Sequence, residues 1–566
     1  MSERRVLAAG LALVSAVGLL VYAGLFDSWF LRDDFMWLHD AQRQWDEPSR
    51  FWTTRPSGYL RPVSNLFFGL EYAAFGLTAT GYLVVNVLLH LANACLLGLL
   101  LCSLGAPRCL ALAASAAAGL MVTAAPSVIW ISGLVSLLAL HFVLAAALFQ
   151  RRFLIGGELR DGCLAFLCVA LAAGSRESGV LAGAAIVLIE LHHGGLGTLR
   201  ARAFWRRLAP FLLLGVGYLA AQSDLTAFDA VQRQGEAGLL LPFLSGWVTN
   251  LPALVSWQTG GTGFSFGAGL ALLVGLPLAL GLMGGRRGLV AAAWLLGLAL
   301  LALAPYGLQL ASDPAIAGRY RYEAVFVAAA AIGALVHFAT SAASRAPVAL
   351  APLLRGLTLS GLAAFLVVHA MTTARMVEED ERYIQRAEQT RALTRELGAL
   401  LRDWADGLRR APDERPIVLV LAATPIENER HFFDQLAVFD GWPGDQPEAL
   451  DTVVLDLTDP SVRADLQSRP AEVLARAGTE AFEGVFDEHE HVTADEVRAL
   501  IWDRRAGELQ SPGRSDHVFG KLRYDWRRPW ELTGQAQLRV LRLSPEILRA
   551  LREHAPALTS PEPTSP

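Results

Sequence analysis

The sequence predicts an all-α polytopic membrane protein of about eleven transmembrane helices, with a small α/β domain after them. Of the 566 residues, 53% are hydrophobic and 18% are charged, whereas roughly 25% of the residues in a soluble domain are charged. Apolar segments recur along residues 1–370. Residues 371–566 instead hold 36 acidic and 25 basic side chains, which is typical of a soluble region. We therefore predict a transmembrane module at 1–370 and a soluble domain at 371–566.

The predicted spans follow from the lengths of the apolar segments, because about 20 apolar residues cross a bilayer as a helix. The longer segments are Val6–Phe26, Gly81–Leu101, Cys109–Ala125, Val128–Phe149, Gly267–Met283, Gly288–Ala304, Ala324–Thr340 and Val348–Ala370. The shorter ones are Gly162–Gly174, Gly179–Leu191 and Leu208–Ala221. Val6–Phe26 follows two arginines as a signal peptide does, but no small-residue cleavage site ends it, so we expect an uncleaved span. Pro242–Trp257 is expected to be re-entrant or interfacial.

Arginines in the short connections predict the orientation, since cytoplasmic loops are enriched in Lys and Arg. Placing Arg4 and Arg5 inside, with eleven crossings, also places the other basic connections inside. These contain Arg108, Arg151, Arg152, the stretch from Arg200 to Arg207, Arg286, Arg287 and Arg345. The N-terminus is then cytoplasmic, and residues 371–566 are extracytoplasmic. Lys521 is the only lysine, which is typical of a GC-rich bacterial genome and favours a bacterial inner membrane.

Two adjacent carboxylates, Asp33 and Asp34, follow the first span and are flanked by aromatic residues. A carboxylate on a short interfacial helix there can act as a general base on an acceptor hydroxyl. The alternative is a helix start without catalytic function, because Asp is a favourable N-terminal cap.

Charged residues also lie in the predicted extracytoplasmic connections, where they are not needed to fix the orientation. Arg61 precedes Pro62, which suits the first turn of a short helix, and Arg61 is either a phosphate ligand or an ordinary snorkelling side chain. Arg176 and Glu177 lie between two short spans. They are either a structural ion pair or a phosphate site in which Glu177 tunes Arg176, since charges at membrane depth are costly without a partner or a function.

A second basic cluster stands just before the span at Ala324–Thr340. Its two arginines could bind a diphosphate or a lipid phosphate, because the planar, positively charged guanidinium matches the geometry of a phosphate. Its tyrosines could support the arginines. The alternative is plain interfacial anchoring. The cluster consists of Arg319, Tyr320, Arg321 and Tyr322.

The span at Gly81–Leu101 carries a polar stripe of Asn86, His90 and Asn93 at helical spacing. Such a stripe faces the interior of a bundle or a cavity. Interhelical hydrogen bonding explains it, and the alternative is a direct role for His90, with Asn86 in support.

In this order and sidedness, the motifs resemble the GT-C class of membrane glycosyltransferases, and within it the protein O-mannosyltransferase-like branch (glycosyltransferase family 39), including relatives with transmembrane and tetratricopeptide regions. The resemblance covers roughly residues 1–370. The motifs that carry it are Asp33-Asp34, Tyr59–Asn65, Phe75-Gly76-Leu77, Gly81-Tyr82 with Asn86, His90 and Asn93, Trp130–Gly133, Ser175–Ser178 and Arg319–Tyr322. No 34-residue tetratricopeptide period is found in 371–566.

This resemblance implies a polyprenyl-phosphate-linked sugar as donor, used on the extracytoplasmic side with inversion at the anomeric carbon. It implies that Asp33 is the general base and Asp34 a supporting carboxylate. Arg176 stands where relatives usually have a lysine, and the segment Leu134-Val135-Ser136 lies where relatives often have a charged pair. A divalent metal is possible, because some members of the class use one, although Asp33 and Asp34 alone do not form a convincing cage.

Two other functions remain open at the level of sequence. A transporter or flippase for a lipid-linked saccharide would also need a polar cavity and phosphate-binding arginines, but no base at Asp33. A non-catalytic scaffold would not need charges at the tip of a short hairpin. No basic tract points to nucleic acid. The expected partners are the lipid-linked sugar, an acceptor protein or glycan, and membrane lipid.

Residues 371–566 contain three predicted buried strands, Ile417–Leu421, Val453–Leu457 and Leu538–Leu543. A charged helix over Glu378–Arg410 precedes them and helical stretches lie between them, so a small α/β domain is expected. The acidic, His-containing run Phe486–His491 is interpreted as a solvated loop rather than a metal site.

Overall fold

The computed structural model describes residues 3–31, 33–54, 59–221, 248, 250–255, 266–303, 321–348, 350–379, six positions between 384 and 391, and five strands beyond them. The chain divides into two compact units. The first comprises Met1–Ser28 and Arg43–Ile384, and the second comprises Trp29–Gln42 and Gln385–Pro566.

The described helices account for every predicted apolar segment. They are α1 Glu3–Val21, α2 Asp33–Gln44, α3 Arg50–Thr53, α4 Pro62–Phe75, α5 Ala79–Ser103, α6 Arg108–Leu120, α7 Ala125–Ile129, α8 Leu134–Gly156, α9 Leu159–Ser175, α10 Leu181–Gly194, α11 Arg202–Ala221, α12 Phe266–Leu303, α13 Tyr322–Ala343 and α14 Ala351–Glu379. All eleven apolar segments overlap one of these helices. In an apolar medium the backbone must satisfy its own hydrogen bonds, and an α-helix does so within one segment.

Among the described residues, five helices are long and apolar enough to cross a membrane, and a sixth span results if α6 and the bent segment Val122–Ile129, at 51° to it, count as one. The protein is thus a polytopic membrane protein. The predicted number of eleven crossings is not confirmed, because α1, α9 and α10 are short, α11 is not among the helices apolar enough to cross, and the long α12 counts as one helix.

The helix α12 is in fact two helical segments joined at Gly285, which has φ 55° and ψ −139°. A Cβ atom at Gly288 would overlap the carbonyl oxygen of Leu280. Residues eight apart lie about 12 Å apart along a straight helix, so this proximity shows that the chain reverses direction. Arg286 and Arg287 stand at the tip of the reversal, between the two predicted spans Gly267–Met283 and Gly288–Ala304.

Small residues allow the central helices to pack closely. Alanines occupy most buried positions of α6, and a Cβ at Gly333 of α13 would lie 2.6 Å from the carbonyl oxygen of Leu110. Close approach of this kind is how helices associate in a membrane, where the hydrophobic effect does not drive them together. The helices α5, α6, α8 and α13 form the buried centre of the first unit.

The second unit contains a five-stranded mixed sheet of β1 Ile417–Ala422, β2 Thr452–Asp456, β3 Val497–Asp503, β4 Glu508–Gln510 and β5 Gln537–Leu543, in the order β2-β5-β1-β3-β4. β1 pairs parallel with β3 and antiparallel with β5. The three predicted strands are present within a residue or two of their expected bounds, and β3 and β4 were not predicted. The chain between the strands, including Phe486–His491, lies outside the described residues, as does most of the predicted helix over Glu378–Arg410.

Candidate functional site

A short turn between α9 and α10 presents two charged side chains in opposite directions. Arg176 has an extended backbone, with φ −161° and ψ 158°, and successive residues of extended chain point to opposite sides. The 3-10 helix Glu177–Val180 then leads into α10. The turn requires Gly179, because a Cβ there would overlap the carbonyl oxygen of Ala172. The sequence analysis left open an Arg176–Glu177 ion pair and a ligand site. In the structure, each of the two residues instead has a different partner.

Glu177 pairs with Arg61 at the start of α4. The guanidinium donates from Nε and Nη2 to the two carboxylate oxygens at 2.8 and 2.9 Å, a bidentate pair. Burial alone would raise the pKa of Glu177, but the charge of Arg61 and its hydrogen bonds outweigh burial and hold that pKa below its usual value. Ser64 Oγ donates to the Ser175 carbonyl at 2.8 Å and joins the same two elements.

Arg176 points to the opposite side, towards α8 and α13. Its Nη1 donates to Ser136 Oγ and lies 3.8 Å from Glu323 Oε1. Ser178 Oγ donates to the same Glu323 oxygen at 2.6 Å. The side chains of Arg176 and Glu323 are 5% and 4% exposed, so the pair is shielded from water. The turn thus brings Arg176, Ser178, Ser136 and Glu323 into one buried polar cluster, separate from the Arg61–Glu177 pair.

Arg321 immediately precedes α13, two residues before Glu323. Its Nε is buried and has no hydrogen-bond partner among the residues that the structure describes. Burial lowers the pKa of Arg321 to about 10. A buried N–H in this condition favours the arrival of a hydrogen-bond acceptor, since an unsatisfied buried donor is costly. The neighbouring candidates Arg319 and Tyr320 lie outside the described residues.

Polar side chains of α5 anchor the start of α13 from the other side. His90 Nδ1 lies 3.0 Å from Tyr322 Oη, and Asn93 Nδ2 donates to the same hydroxyl at 3.3 Å. Asn93 Oδ1 in turn lies 3.0 Å from His141 Nδ1 of α8. Asn86 Nδ2 donates to the Trp130 carbonyl at 2.9 Å. This network fixes Tyr322, and with it the backbone that carries Arg321 and Glu323.

An apolar groove of about 420 Å³ begins at Glu323 and is lined by α5, α8, α10, α12 and α13. On α10 it follows the stripe Leu181, Ala185, Leu188 and His192, which extends for about 16 Å at 1.5 Å per residue. Among the residues described along it, Glu323 is the one acidic side chain. The groove therefore has the dimensions and lining for a long hydrocarbon chain, with the charged cluster at one end.

The two aspartates of the second unit open α2. Asp34 is 1% exposed, and its Oδ2 accepts a hydrogen bond from the Leu31 backbone N–H at 2.8 Å. This bond reaches back three residues, as the acid of a capping box does. Asp33 is partly exposed. The geometry of Asp34 is that of a residue that fixes the helix start, whereas the assignment of Asp33 as a base stays a prediction.

The structure pairs Arg61 with Glu177. It places Arg176 with three residues that the sequence analysis did not assign to the site, namely Ser136, Ser178 and Glu323. Glu323 could have been found from the sequence, because an acidic residue that opens an otherwise apolar span is costly without a function or a partner. Ser136 and Ser178 have no comparable feature in the sequence. Within the described residues, no group of three or more His, Cys, Asp or Glu side chains is placed to hold a metal ion.

Comparison with known proteins gave structural likeness only. The archaeal oligosaccharyltransferase AglB from Archaeoglobus fulgidus, in complex with an inhibitory peptide and a dolichol-phosphate, aligns at a TM-score of 0.43 with 12% identity, over 70% of this chain and 58% of that chain. The oligosaccharyltransferase of Archaeoglobus fulgidus in the apo form aligns at 0.42 with 11% identity over the same shares. This chain thus spans less than two thirds of either structure. No protein-family model and no curated protein matches the sequence.

Proposed function

We propose that this protein is a membrane glycosyltransferase of the GT-C class, which transfers a sugar from a polyprenyl-phosphate donor to an acceptor hydroxyl on the extracytoplasmic side of a bacterial inner membrane. The observation that carries the proposal is the buried Arg176, which lies beside Glu323 at one end of the apolar groove. The protein O-mannosyltransferase-like branch and a hexose as the transferred sugar are the finer expectations, and they derive from the motif resemblance.

The groove and the cluster match the two chemical parts of such a donor. A polyprenyl chain is all hydrocarbon. The apolar lining of the groove can contact it by dispersion interactions without leaving a polar group buried and unpaired. Its phosphate carries a negative charge, which Arg176 would neutralise at the groove end near Glu323, and Arg321 is the second proposed phosphate ligand. A guanidinium in a site that excludes water binds phosphate strongly, because the charges are not screened.

The reaction needs one base and stabilisation of one leaving group. The proposed base Asp33 removes the proton of the acceptor hydroxyl, whose oxygen then attacks the anomeric carbon from the face opposite the phosphate. The bond between that carbon and the phosphate oxygen breaks, and its electron pair stays on the phosphate. Arg321 and Arg176 stabilise this added charge, which is their largest contribution to rate. The acceptor, a protein or a glycan, gains the sugar with inverted configuration.

The test uses purified protein in lipid nanodiscs and a panel of radiolabelled polyprenyl-phosphate sugars. We expect wild type to consume one donor of the panel and the Asp33→Asn variant to consume it at least about 100-fold more slowly. Asp34→Asn is the matched control, and we expect its main effect on stability, because Asp34 holds the start of α2. Equal consumption by wild type and Asp33→Asn would contradict Asp33 as the base. Saturable donor binding without consumption by wild type would favour the transporter instead.

A further inference from the structure

Glu323 lines the groove at its cluster end, and its two carboxylate oxygens differ in their surroundings. Ser178 Oγ donates to Oε1 at 2.6 Å, and Arg176 Nη1 lies 3.8 Å from the same oxygen. Oε2 is buried and has no hydrogen-bond partner among the residues that the structure describes. A buried acceptor without a donor is costly, so Oε2 is the atom through which Glu323 can bind a ligand.

Contacts on two sides fix the position of Glu323. Ser178 holds one carboxylate oxygen, while His90 and Asn93 hold the hydroxyl of the preceding residue, Tyr322. The side chain is 4% exposed, and a hydrogen bond in such a setting is stronger than one in water. An acceptor that is fixed before a ligand arrives can discriminate between ligands, because little has to be reordered on binding.

The three chemical parts of the proposed donor differ in what they offer to Oε2. The polyprenyl chain has no hydrogen-bond donor. The phosphodiester is ionised and has no O–H group, so it offers acceptors only. The sugar carries several hydroxyl groups, each of which can donate to a carboxylate oxygen. The sugar is therefore the part of the donor that can pair with Oε2, and it is bonded to the phosphate that Arg176 would bind beside Glu323.

We propose that Glu323 recognises the donor sugar: its Oε2 accepts a hydrogen bond from one sugar hydroxyl and makes the enzyme specific for donors that carry this hydroxyl. The inference rests on the proposed function, since it assigns a role to a residue of the same groove. A donor without that hydroxyl would leave Oε2 buried and unpaired, and sites of this kind discriminate strongly against such analogues. Ser178 is a positioning residue, because its hydroxyl holds Oε1 and so orients the carboxylate.

The test measures transfer by full-length protein in nanodiscs from the donor that wild type consumes and from its monodeoxy analogues, each of which lacks one sugar hydroxyl. We expect the loss of one particular hydroxyl to lower kcat/KM about 100-fold in wild type. In Glu323→Ala, the complete donor should lose about 100-fold, and the same analogue should differ from it less than about threefold, because the partner of that hydroxyl is gone. In Ser178→Ala, the cost of the missing hydroxyl should fall to about tenfold.

Two further variants guard against a merely structural explanation, and thermal unfolding checks that each variant is folded. Glu323→Gln keeps the size of the side chain and an acceptor for Ser178. It should reduce the cost of the same missing hydroxyl to about tenfold, since a neutral acceptor binds more weakly than a charged one. Glu71→Gln neutralises another buried acid, on α4 and outside the groove lining, and should leave the cost of every missing hydroxyl unchanged.

Three results would count against these assignments. A loss of activity in Glu323→Ala and Glu323→Gln that is equal for the complete donor and for every analogue would overturn the inference, because Glu323 would then act through the fold alone. A wild type in which no missing hydroxyl costs more than about threefold would also overturn it, because water would then serve Oε2 as well as the sugar does. If wild type consumes no donor of the panel, the proposed function itself fails.

Discussion

Two buried charge clusters lie near opposite ends of α10, and they differ in how fully their atoms are paired. At one end, Glu190 accepts from Arg207 at 2.7 and 2.5 Å on its two oxygens and from Gln150 at 2.8 Å. At the other end, Glu323 beside Arg176 has one carboxylate oxygen without a hydrogen-bond partner among the described residues, and Arg321, two residues earlier in the chain, has a buried Nε in the same condition. The first cluster is complete without a ligand, and the second is not.

This difference distinguishes a structural anchor from a ligand site within one bundle. A fully satisfied buried pair joins helices, and breaking it costs stability. A buried cationic group without its full set of partners has lost its hydration without gaining hydrogen bonds in return. An arriving anion supplies those hydrogen bonds. The same residue types, Arg and Glu, thus occur in a structural anchor and in a proposed ligand site. The two differ in how many of their polar atoms have hydrogen-bond partners, and not in composition.

The comparison is tested most strongly at Arg321, whose buried Nε has no hydrogen-bond partner among the described residues. We expect Arg321→Gln to slow sugar transfer by about 100-fold or more, because one preorganised donor to a developing anion contributes a factor of this size. Its unfolding temperature should stay close to that of wild type. Initial rates with radiolabelled donor, together with thermal unfolding in nanodiscs, measure both effects. A large loss of stability with unchanged transfer would show that Arg321 is an anchor.

The saturated cluster should respond in the opposite way. Arg207→Gln leaves Glu190 buried, at 2% exposed, without its charged partner, and we expect it to lower the free energy of unfolding by about 3 kcal/mol. The KM for the donor should not change in the folded fraction. Denaturation in mixed micelles and donor titrations check the two statements. If Arg207→Gln raised the KM tenfold without loss of stability, the contrast between the clusters would fail.

Two adjacent alanines of α13 offer a matched test of the groove. Ala330 lines the groove that ends at Glu323, whereas Ala331 lines a separate apolar cavity of about 400 Å³ against α12 and α14. We expect Ala330→Phe to raise the KM for long-chain donors about tenfold, since one large side chain fills space that the hydrocarbon needs. Ala331→Phe should have little effect on KM. The reverse order would place the donor chain in the other cavity.

The smallest expected effect concerns the pH dependence of stability through the Arg61–Glu177 pair. Because Arg61 holds the pKa of Glu177 below its ordinary value, the pair stabilises the fold above about pH 4.3 and loses this contribution as the pH falls through the lowered pKa. Thermal unfolding from pH 7 to pH 3 should show a smaller decrease for Glu177→Gln than for wild type. Parallel curves for the two proteins would contradict the assignment.

The helices were predictable because apolar length and arginine placement are local properties of the sequence. Even the reversal within α12 was anticipated, since Gly285 and the following Arg286 and Arg287 interrupt an otherwise continuous apolar run. The strands β1, β2 and β5 were found from short β-branched and aliphatic runs. β3 was missed because its sequence, Val497–Asp503, mixes charged and apolar residues.

The pairing inside the site was not predictable in the same way. Arg61 and Glu177 are 116 residues apart, and His90 and Tyr322 are 232 apart. Which of several buried polar groups meet depends on how the helices pack, and periodicity does not encode that. The sequence analysis found Arg176 and Glu177 as charges at membrane depth, but the extended backbone at Arg176, which sends them to different partners, became visible only in the structure.

The central claim is that the groove ending at Glu323 holds a polyprenyl phosphate. Its most direct test is photo-crosslinking in nanodiscs with a polyprenyl phosphate that carries a diazirine in its hydrocarbon chain, followed by mass spectrometry of the labelled peptides. We predict labels on α10 between Leu181 and His192 and on the Phe326–Ala334 face of α13, competed by unlabelled polyprenyl phosphate and strongly reduced in Arg321→Gln. Labels that resist competition, or that concentrate around Phe365 of α14, would contradict the claim.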